Sequence, residues 1–493
     1  MIELIERAAG YGDHPAIISD ETSHSYRQLL SRSQAIAHVL CDEKEELEEA
    51  RIAFLIPSGF DYVSVQWGIW QAGGIAVPLS EKHPLPAIEY ILDDTQASHL
   101  IFDPQFATLL APLHQRKNLK MYALDELRSE KKGALPEILP DQRAMILYTS
   151  GTTGQPKGVV TTHANIQTQI ESLIEAWEWS PDDHILNVLP MHHVHGIINV
   201  TSCALWSGAT CTCHRVFDPQ AVFDLIRTEQ LTLFMAVPTI YHKLIAYWQA
   251  SDASTQQKIS QSLSKLRLMV SGSAALPVSV LTAWQSISGH TLLERYGMTE
   301  IGMAISNPYR GERKPGFIGQ PLPHVEVRLV DDNQQPVTAG ESGEIQVKGP
   351  NVFKEYWQKS EATAASFTAD GWFRTGDVAL HQEGSYRIIG RSSVDIIKSG
   401  GYKVSALEIE EVLRTHPQIA DCGVVGLPDE EWGEVIAAAV VVAQPINSNE
   451  LGRWLKQRLP GYKVPRRFIQ LDDLPRNAMG KVTKKELKER FLA

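Results

Sequence analysis

The chain has 493 residues, more than one hydrophobic core usually serves, so two or more domains are expected. A hydrophobic share of 43% and a charged share of 21% are ordinary globular values and argue against disorder. The net charge of -12 argues against nucleic acid as the main partner.

Five scattered cysteines, Cys41, Cys203, Cys211, Cys213 and Cys422, suggest free thiols in a reducing compartment. Cys211, Cys213 and His214 raise a zinc question, but the second ligand pair is missing. The opening MIELIERAAGYGDHP carries early acids and no long apolar run, so neither a signal nor a transit peptide is expected. No run reaches the length of a membrane span. A cytoplasmic protein is expected.

In chain order, Ile17 to Leu40 reads as a strand pair and then an amphipathic helix from Tyr26. Arg51–Pro57, Gly59–Ala72 and Ile75–Leu79 read as strand, helix and strand. That βαβ unit implies a parallel sheet. A helix at Pro86–Asp93 and a strand at His99–Phe102 repeat the pattern, and Lys117–Pro140 reads as a surface connection.

The stretch YTSGTTGQPKG, Tyr148 to Gly158, follows an apolar strand at Ala144–Leu147. Gly151, Gly154 and Gly158 leave backbone N–H groups unshielded, as an anion nest requires. Thr149, Ser150, Thr152 and Thr153 add hydroxyl donors, and Lys157 adds a mobile charge. It is not a Walker A loop, because Pro156 precedes Lys157 and Gly158 holds the Ser/Thr position. A Gly/Ser/Thr surface turn is the plain alternative.

After a helix at Ala164–Ala176 and a strand at Ile185–Leu189 comes PMHHVHG, residues 190–196. Its histidines His192, His193 and His195 follow a strand end, where open α/β sheets place ligands. FMAVPTIY (234–241) and LMVSGSAA (268–275) read as strands, the second ending in Ser271, Gly272 and Ser273. In LLERYGMTE (292–300) a strand is expected to end at Leu293, with Tyr296 offering a flat face and Glu300 a hard oxygen ligand suited to Mg²⁺. Two readings fit Arg295: an ion pair with Glu294 or another acid, or a carboxylate-bearing substrate held by the guanidinium fork. GEIQVKGPNVF (343–353) and GWFRTGD (371–377) are strand-rich, and YRIIGR (386–391) is a further strand. SVDIIKSGGYKVSALEIEEVL (393–413) holds a Gly-rich turn and a helix from about Ala406; PRNAMGKVTKKELKERF (475–491) ends in a basic helix. Lys481 in that stretch also fits a lysine in a solvated basic tail.

Taken together, YTSGTTGQPKG, LLERYGMTE, GWFRTGD, YRIIGR and N-x-M-G-K resemble the ordered motifs of the adenylate-forming superfamily of acyl-CoA synthetases, peptide-synthetase adenylation domains and luciferases. Within it the sequence looks most like malonyl-CoA synthetases. The resemblance implies an α/β fold: a large N-terminal domain, residues 1–390, of parallel-rich sheets flanked by helices plus a β-barrel-like subdomain. It also implies a small mobile α+β C-terminal domain, residues 391–493.

The resemblance further implies an ATP-dependent acid–CoA ligase that uses Mg²⁺ and coenzyme A, with no nucleic acid, membrane or obligate protein partner. ATP and AMP would contact Thr149, Ser150, Gly151, Thr152, Thr153, Gly154, Lys157, Ser271, Gly272, Ser273, Glu294, Tyr296, Gly297, Met298, Asp377 and Arg391. Lys481, Thr299 and Glu300 would be catalytic, Glu300 through Mg²⁺. His193, His195 and Arg295 would meet the acyl substrate, Ser399, Gly400 and Gly401 coenzyme A, and Ser393 would be the hinge, where the family usually has Asp or Lys. Malonate or methylmalonate leads as substrate; a monocarboxylate ligase or an enzyme loading a carrier protein remains the alternative.

Overall fold

The computed structural model describes residues 2–41, 46–131, 133–149, 155–228, 230–476 and 482–492. Four sheets organise them. A seven-stranded sheet runs in the order 355–356, 157–162, 143–149, 75–78, 51–55, 99–102, 120–123. The βαβ unit lies at its centre: Arg51–Leu55 and Ile75–Pro78 are parallel neighbours joined by the helix Phe60–Gln71. That helix is buried almost all round, Trp67 and Trp70 included, because a second helix, Tyr26–Cys41, packs on it. The run reads as apolar on every face for that reason.

A nine-stranded sheet follows the order 320–321, 302–306, 293–298, 268–271, 233–236, 184–187, 210–213, 15–19, 22–25. Its central strands are parallel, so the helices Pro219–Thr228, Pro238–Ala250, Ala253–Leu263 and Val278–Ser288 act as crossovers and bury Tyr241, Phe234 and Trp284 beside it. The C-terminal ends of these parallel strands open on one side, where such sheets bind ligands.

The β-rich region is an antiparallel sheet of 326–330, 342–348, 373–382 and 385–391. The last sheet begins five residues later with Ile396–Ser399 and pairs Tyr402–Ser405, Gly433–Val442, Ile419–Asp429 and Arg467–Leu471. The helix Ala406–Arg414 covers it, capped by Ser405, whose hydroxyl accepts the Glu408 N–H at 3.1 Å. A mixed α/β architecture with a small C-terminal domain is thus observed.

Three local expectations are revised. Lys117–Pro140 contains an edge strand, Lys120–Ala123, parallel to His99–Phe102. The strand at Leu293 begins there and runs to Met298, carrying the motif inside it. The phosphate-loop candidate leads into a strand, Lys157–Thr162, before the helix His163–Trp177.

Candidate active site

The described ends of the glycine-rich stretch lie on two paired strands. Strands Arg143–Thr149 and Lys157–Thr162 run antiparallel, with Thr149 opposite Lys157 as the last pair. One helix, Leu85–Thr95, holds both limbs. The Tyr148 hydroxyl donates to Asp94 Oδ2 at 2.6 Å, and the Tyr90 hydroxyl donates to the Pro156 carbonyl at 2.8 Å. Tyr90 and Asp94 are four residues apart, hence on one helix face. Ser150, Gly151, Thr152, Thr153 and Gly154 lie outside the described residues, as does Lys481.

Lys157 Nζ lies 5.0 Å from the centroid of the Tyr356 ring. The Tyr356 hydroxyl donates to Glu300 Oε1 at 2.9 Å. Glu300 is 7% exposed, and burial pushes its carboxyl above the usual range. Thr299 and Glu300 occupy the turn that follows the strand Leu293–Met298. Among the described residues no group of three or more His, Cys, Asp or Glu converges on one point. A protein-only metal cage is therefore not built there. A Mg²⁺ that takes one carboxylate and completes its shell with phosphate oxygens and water needs only Glu300, and its hard oxygen chemistry fits.

Three of the nucleotide candidates meet. The Tyr296 hydroxyl donates to Asp377 Oδ2 at 2.7 Å, and Arg391 Nε donates to Asp377 Oδ1 at 2.9 Å. Ser271 stands beside Glu294 on parallel strands, fully buried, its hydroxyl without a partner among the described residues. Gly297 is dictated by packing: a Cβ there would come within 2.0 Å of the Gly302 carbonyl oxygen. Met298, next to it, is half-buried.

Among the acyl-substrate candidates, Arg295 is 3% exposed and forms no ion pair with any acid among the described residues. Among the described residues it makes one long hydrogen bond, at 3.5 Å to the Ser273 hydroxyl, and its Nε has no partner. The same hydroxyl lies 3.2 Å from His195 Nδ1, while His195 Nε2 is buried without a partner. Burial without a counter-ion pulls Arg295 down to about 9. Burial first, then the Arg295 and His193 charges, hold His195 far below its ordinary value, so its imidazole is neutral.

The proposed ion pair with Glu294 is not formed. Successive residues of a strand point to opposite faces, and Glu294 Oε1 instead accepts the Leu276 N–H at 3.2 Å. Burial lifts that carboxyl to about 8. Ser273, expected among the nucleotide contacts, touches His195 and Arg295, two of the acyl-substrate candidates. It sits at φ 68°, the left-handed region.

His193 stacks obliquely on His192, ring centroids 4.2 Å apart. Burial, with His193, His83 and Lys82 nearby, pushes His192 down to about 3. The following turns, His195–Ser202, form a π-helix, in which the Thr201 and Ser202 hydroxyls donate to the Gly196 and Ile197 carbonyls at 2.9 and 2.7 Å. Such windings cluster at functional sites. Cys211 and Cys213 are buried on one strand with their sulfurs 3.9 Å apart.

In the C-terminal sheet Gly400 and Gly401, at φ 56° and 82°, make the turn between Ile396–Ser399 and Tyr402–Ser405. A Cβ on Gly400 would meet the Trp432 ring at 2.7 Å. Ser399 is buried opposite Gly433. Of the two nearby lysines, Lys403 pairs with Asp332 at 2.6 Å. Ser393 lies in the turn 392–395, and Asp395 Oδ2 accepts the Arg391 N–H across it at 3.1 Å.

Sequence reasoning missed Tyr90, Asp94 and Tyr356. The tyrosine of EYW at 355–357 was the available signal, a phenol just after the strand-rich stretch, but nothing local pairs it with Glu300.

Comparison with known proteins adds to this geometry. Residues 4–357 match the AMP-binding enzyme family and residues 408–481 match the AMP-binding enzyme C-terminal domain. The chain is 44% identical to malonate–CoA ligase ACSF3, mitochondrial, of Bos taurus, over 98% of this chain and 89% of that protein. It is 38% identical to malonate–CoA ligase of Arabidopsis thaliana, over 97% and 86%. Among solved structures it superposes on ATP-bound MatB from Rhodopseudomonas palustris with a TM-score of 0.91, 32% identity and 99% coverage of both chains. With both of its domains matched and its motifs in order, the chain belongs to the AMP-binding enzyme family.

Proposed function

We propose that this protein is an AMP-forming acid–CoA ligase acting on malonate. The observation that carries the substrate is Arg295: a buried guanidinium with no acid beside it, bordered by a hydroxyl and a neutral imidazole. An unpaired buried charge is costly, and the distal carboxylate of a dicarboxylic acid supplies the missing partner through a charge-assisted fork. That the matched relatives are named malonate–CoA ligases supports the same reading.

In the first half-reaction a malonate carboxylate oxygen attacks the α-phosphorus of ATP. The bond to the β-phosphate oxygen breaks, and pyrophosphate leaves. In the second, the thiol sulfur of coenzyme A attacks the acyl carbonyl, AMP leaves with the former acyl oxygen, and the thiol proton passes to solvent. No protein nucleophile is required, so the residues act by positioning and charge stabilisation.

The glycine-rich stretch, with Thr149, Ser150, Gly151, Thr152, Thr153, Gly154 and Lys157, receives the β- and γ-phosphates. Ser271, Gly272, Tyr296, Gly297 and Met298 border the adenine, and Asp377 and Arg391 hold the ribose. Glu300, with Thr299 beside it, would hold Mg²⁺, which would supply positive charge to the phosphates. Arg295, Ser273 and His195 hold the distal carboxylate, with His193 at the mouth. Lys481 neutralises charge developing at the α-phosphate. Ser399, Gly400 and Gly401 line the path of the thiol arm. One small domain serves both halves by turning about Ser393, which places the domain boundary at residues 390 and 391.

All five cysteines are buried and unpaired, which fits a reducing compartment. No helix among the described residues is long and apolar enough to cross a membrane. We assign the cytoplasm; the names of the vertebrate relatives place those proteins in mitochondria.

The test is pyrophosphate release with ATP, Mg²⁺ and coenzyme A across malonate, methylmalonate, succinate, acetate and octanoate. Preference for malonate or methylmalonate is expected. Preference for a monocarboxylate overturns the substrate, and silence on every acid overturns the ligase.

A further inference from the structure

A five-residue segment far along the chain clasps the two halves of the phosphate site. Glu355–Tyr356 adds a two-residue strand to the edge formed by Lys157–Thr162, with Tyr356 opposite Val159. Around it Lys354 N–H donates to the Val160 carbonyl at 2.9 Å and Trp357 N–H to the Gly158 carbonyl at 2.8 Å. On its other side Phe353 N–H donates to the Glu300 carbonyl at 2.7 Å. The strand that begins with Lys157 and the turn that carries Glu300 are therefore stitched to one short backbone.

The side chain at its centre repeats the link. The Tyr356 hydroxyl holds one Glu300 oxygen at 2.9 Å, and its ring face holds Lys157 Nζ at 5.0 Å. Phe353 packs on the ring, centroids 4.8 Å apart, and the Thr363 hydroxyl accepts the Tyr356 backbone N–H at 3.0 Å, so both the ring and the backbone that carries it are held. Tyr356 is 8% exposed. Lys157 and Glu300 carry opposite charges, yet no ion pair joins them; the aromatic ring stands between.

We infer that Tyr356 is a positioning residue for phosphate chemistry. It keeps the Lys157 ammonium and the Glu300 carboxylate apart and aimed, leaving the ammonium on a weakly held cation–π seat that a phosphate oxygen can take over. One carboxylate oxygen is anchored and the other is left for a divalent cation. This role rests on the AMP-binding reading of the site.

The test compares Tyr356→Phe and Tyr356→Leu with the wild type by two readouts. One is the Mg²⁺ and ATP concentrations for half-maximal acid-dependent pyrophosphate release. The other is the shift in melting temperature produced by ATP, with and without Mg²⁺. Loss of the hydroxyl alone in the Phe variant is expected to raise the half-saturating Mg²⁺ about tenfold. The ATP-only melting shift should then stay unchanged. Removing the ring as well should weaken that shift and raise the KM for ATP by roughly 3- to 10-fold.

Unchanged Mg²⁺ dependence in the Phe variant, or a fall in kcat alone in both variants, overturns the role. Should the Leu variant fail to fold, the Phe variant decides through its Mg²⁺ dependence. If the wild type releases no pyrophosphate with any acid, the ligase reading falls; the melting shifts with ATP and Mg²⁺ still judge Tyr356.

Discussion

The Arg295 guanidinium lies directly over Gly272: a Cβ on that glycine would come within 2.4 Å of Cζ and 2.5 Å of Nε. Arg295 lies on the strand Leu293–Met298 and Gly272 immediately follows its parallel neighbour Leu268–Ser271, and the missing side chain of the glycine makes room for the guanidinium fork. Gly272 thus fixes where the Arg295 guanidinium can sit.

Gly272→Ala should therefore act on the acid before it acts on the nucleotide. The guanidinium must swing away, and a shift on the order of 1 Å costs roughly 10- to 100-fold in a positioned reaction. The expected result is a KM for malonate raised by more than the KM for ATP. Equal losses for malonate and acetate would place the damage elsewhere.

Arg295→Ala should be more severe. Removing one partner of a buried charge pair costs about 2–5 kcal/mol, or roughly 30- to several-thousand-fold. The loss should fall on kcat/KM for malonate and spare acetate. Arg295→Lys should recover only part of it, since an ammonium lacks the two parallel donors. Equal losses on both acids would return Arg295 to a structural role.

How far the sequence could be read follows from where each contact's partners lie. Strand and helix positions through residue 102 were legible because burial on one or both faces leaves a clear apolar pattern, as in Arg51–Leu55 and Phe60–Gln71. The strand Lys157–Thr162 was not, since KGVVTT opens on Lys-Gly after a turn-rich stretch and its pairing comes from the preceding strand. Leu293–Met298 was cut short because Glu294 and Arg295 are charged residues that are nonetheless buried, against the usual rule. Arg295, Asp377 and Arg391 could be singled out by type and motif. Tyr356 and Asp94 could not, because their partners lie 56 and 54 residues away in sequence.

For Lys481 the sequence motif carries the expectation. Lys481→Ala should abolish formation of the acyl-adenylate, read as malonate-dependent pyrophosphate exchange. Conversion of supplied malonyl-adenylate to the thioester by coenzyme A should be retained. Equal loss in both half-reactions contradicts a role confined to the first.

Glu294 gives a prediction about stability rather than turnover. Its carboxyl is buried with Oε2 unpartnered, and burial lifts its pKa from the ordinary 4.5 to about 8. Between those values the folded protein holds a proton that the unfolded chain has released. Stability contributed by the neutral group is thus fully present below about pH 4.5 and is lost as pH rises towards 8. Glu294→Gln keeps an oxygen that can accept the Leu276 N–H and carries no ionisable proton. The melting temperature of the variant relative to wild type should climb steadily from pH 5 to pH 8.5, by an amount on the order of 3 kcal/mol in stability. A difference that stays flat over that range would mean that Glu294 is ionised in the folded protein and finds its counter-charge there.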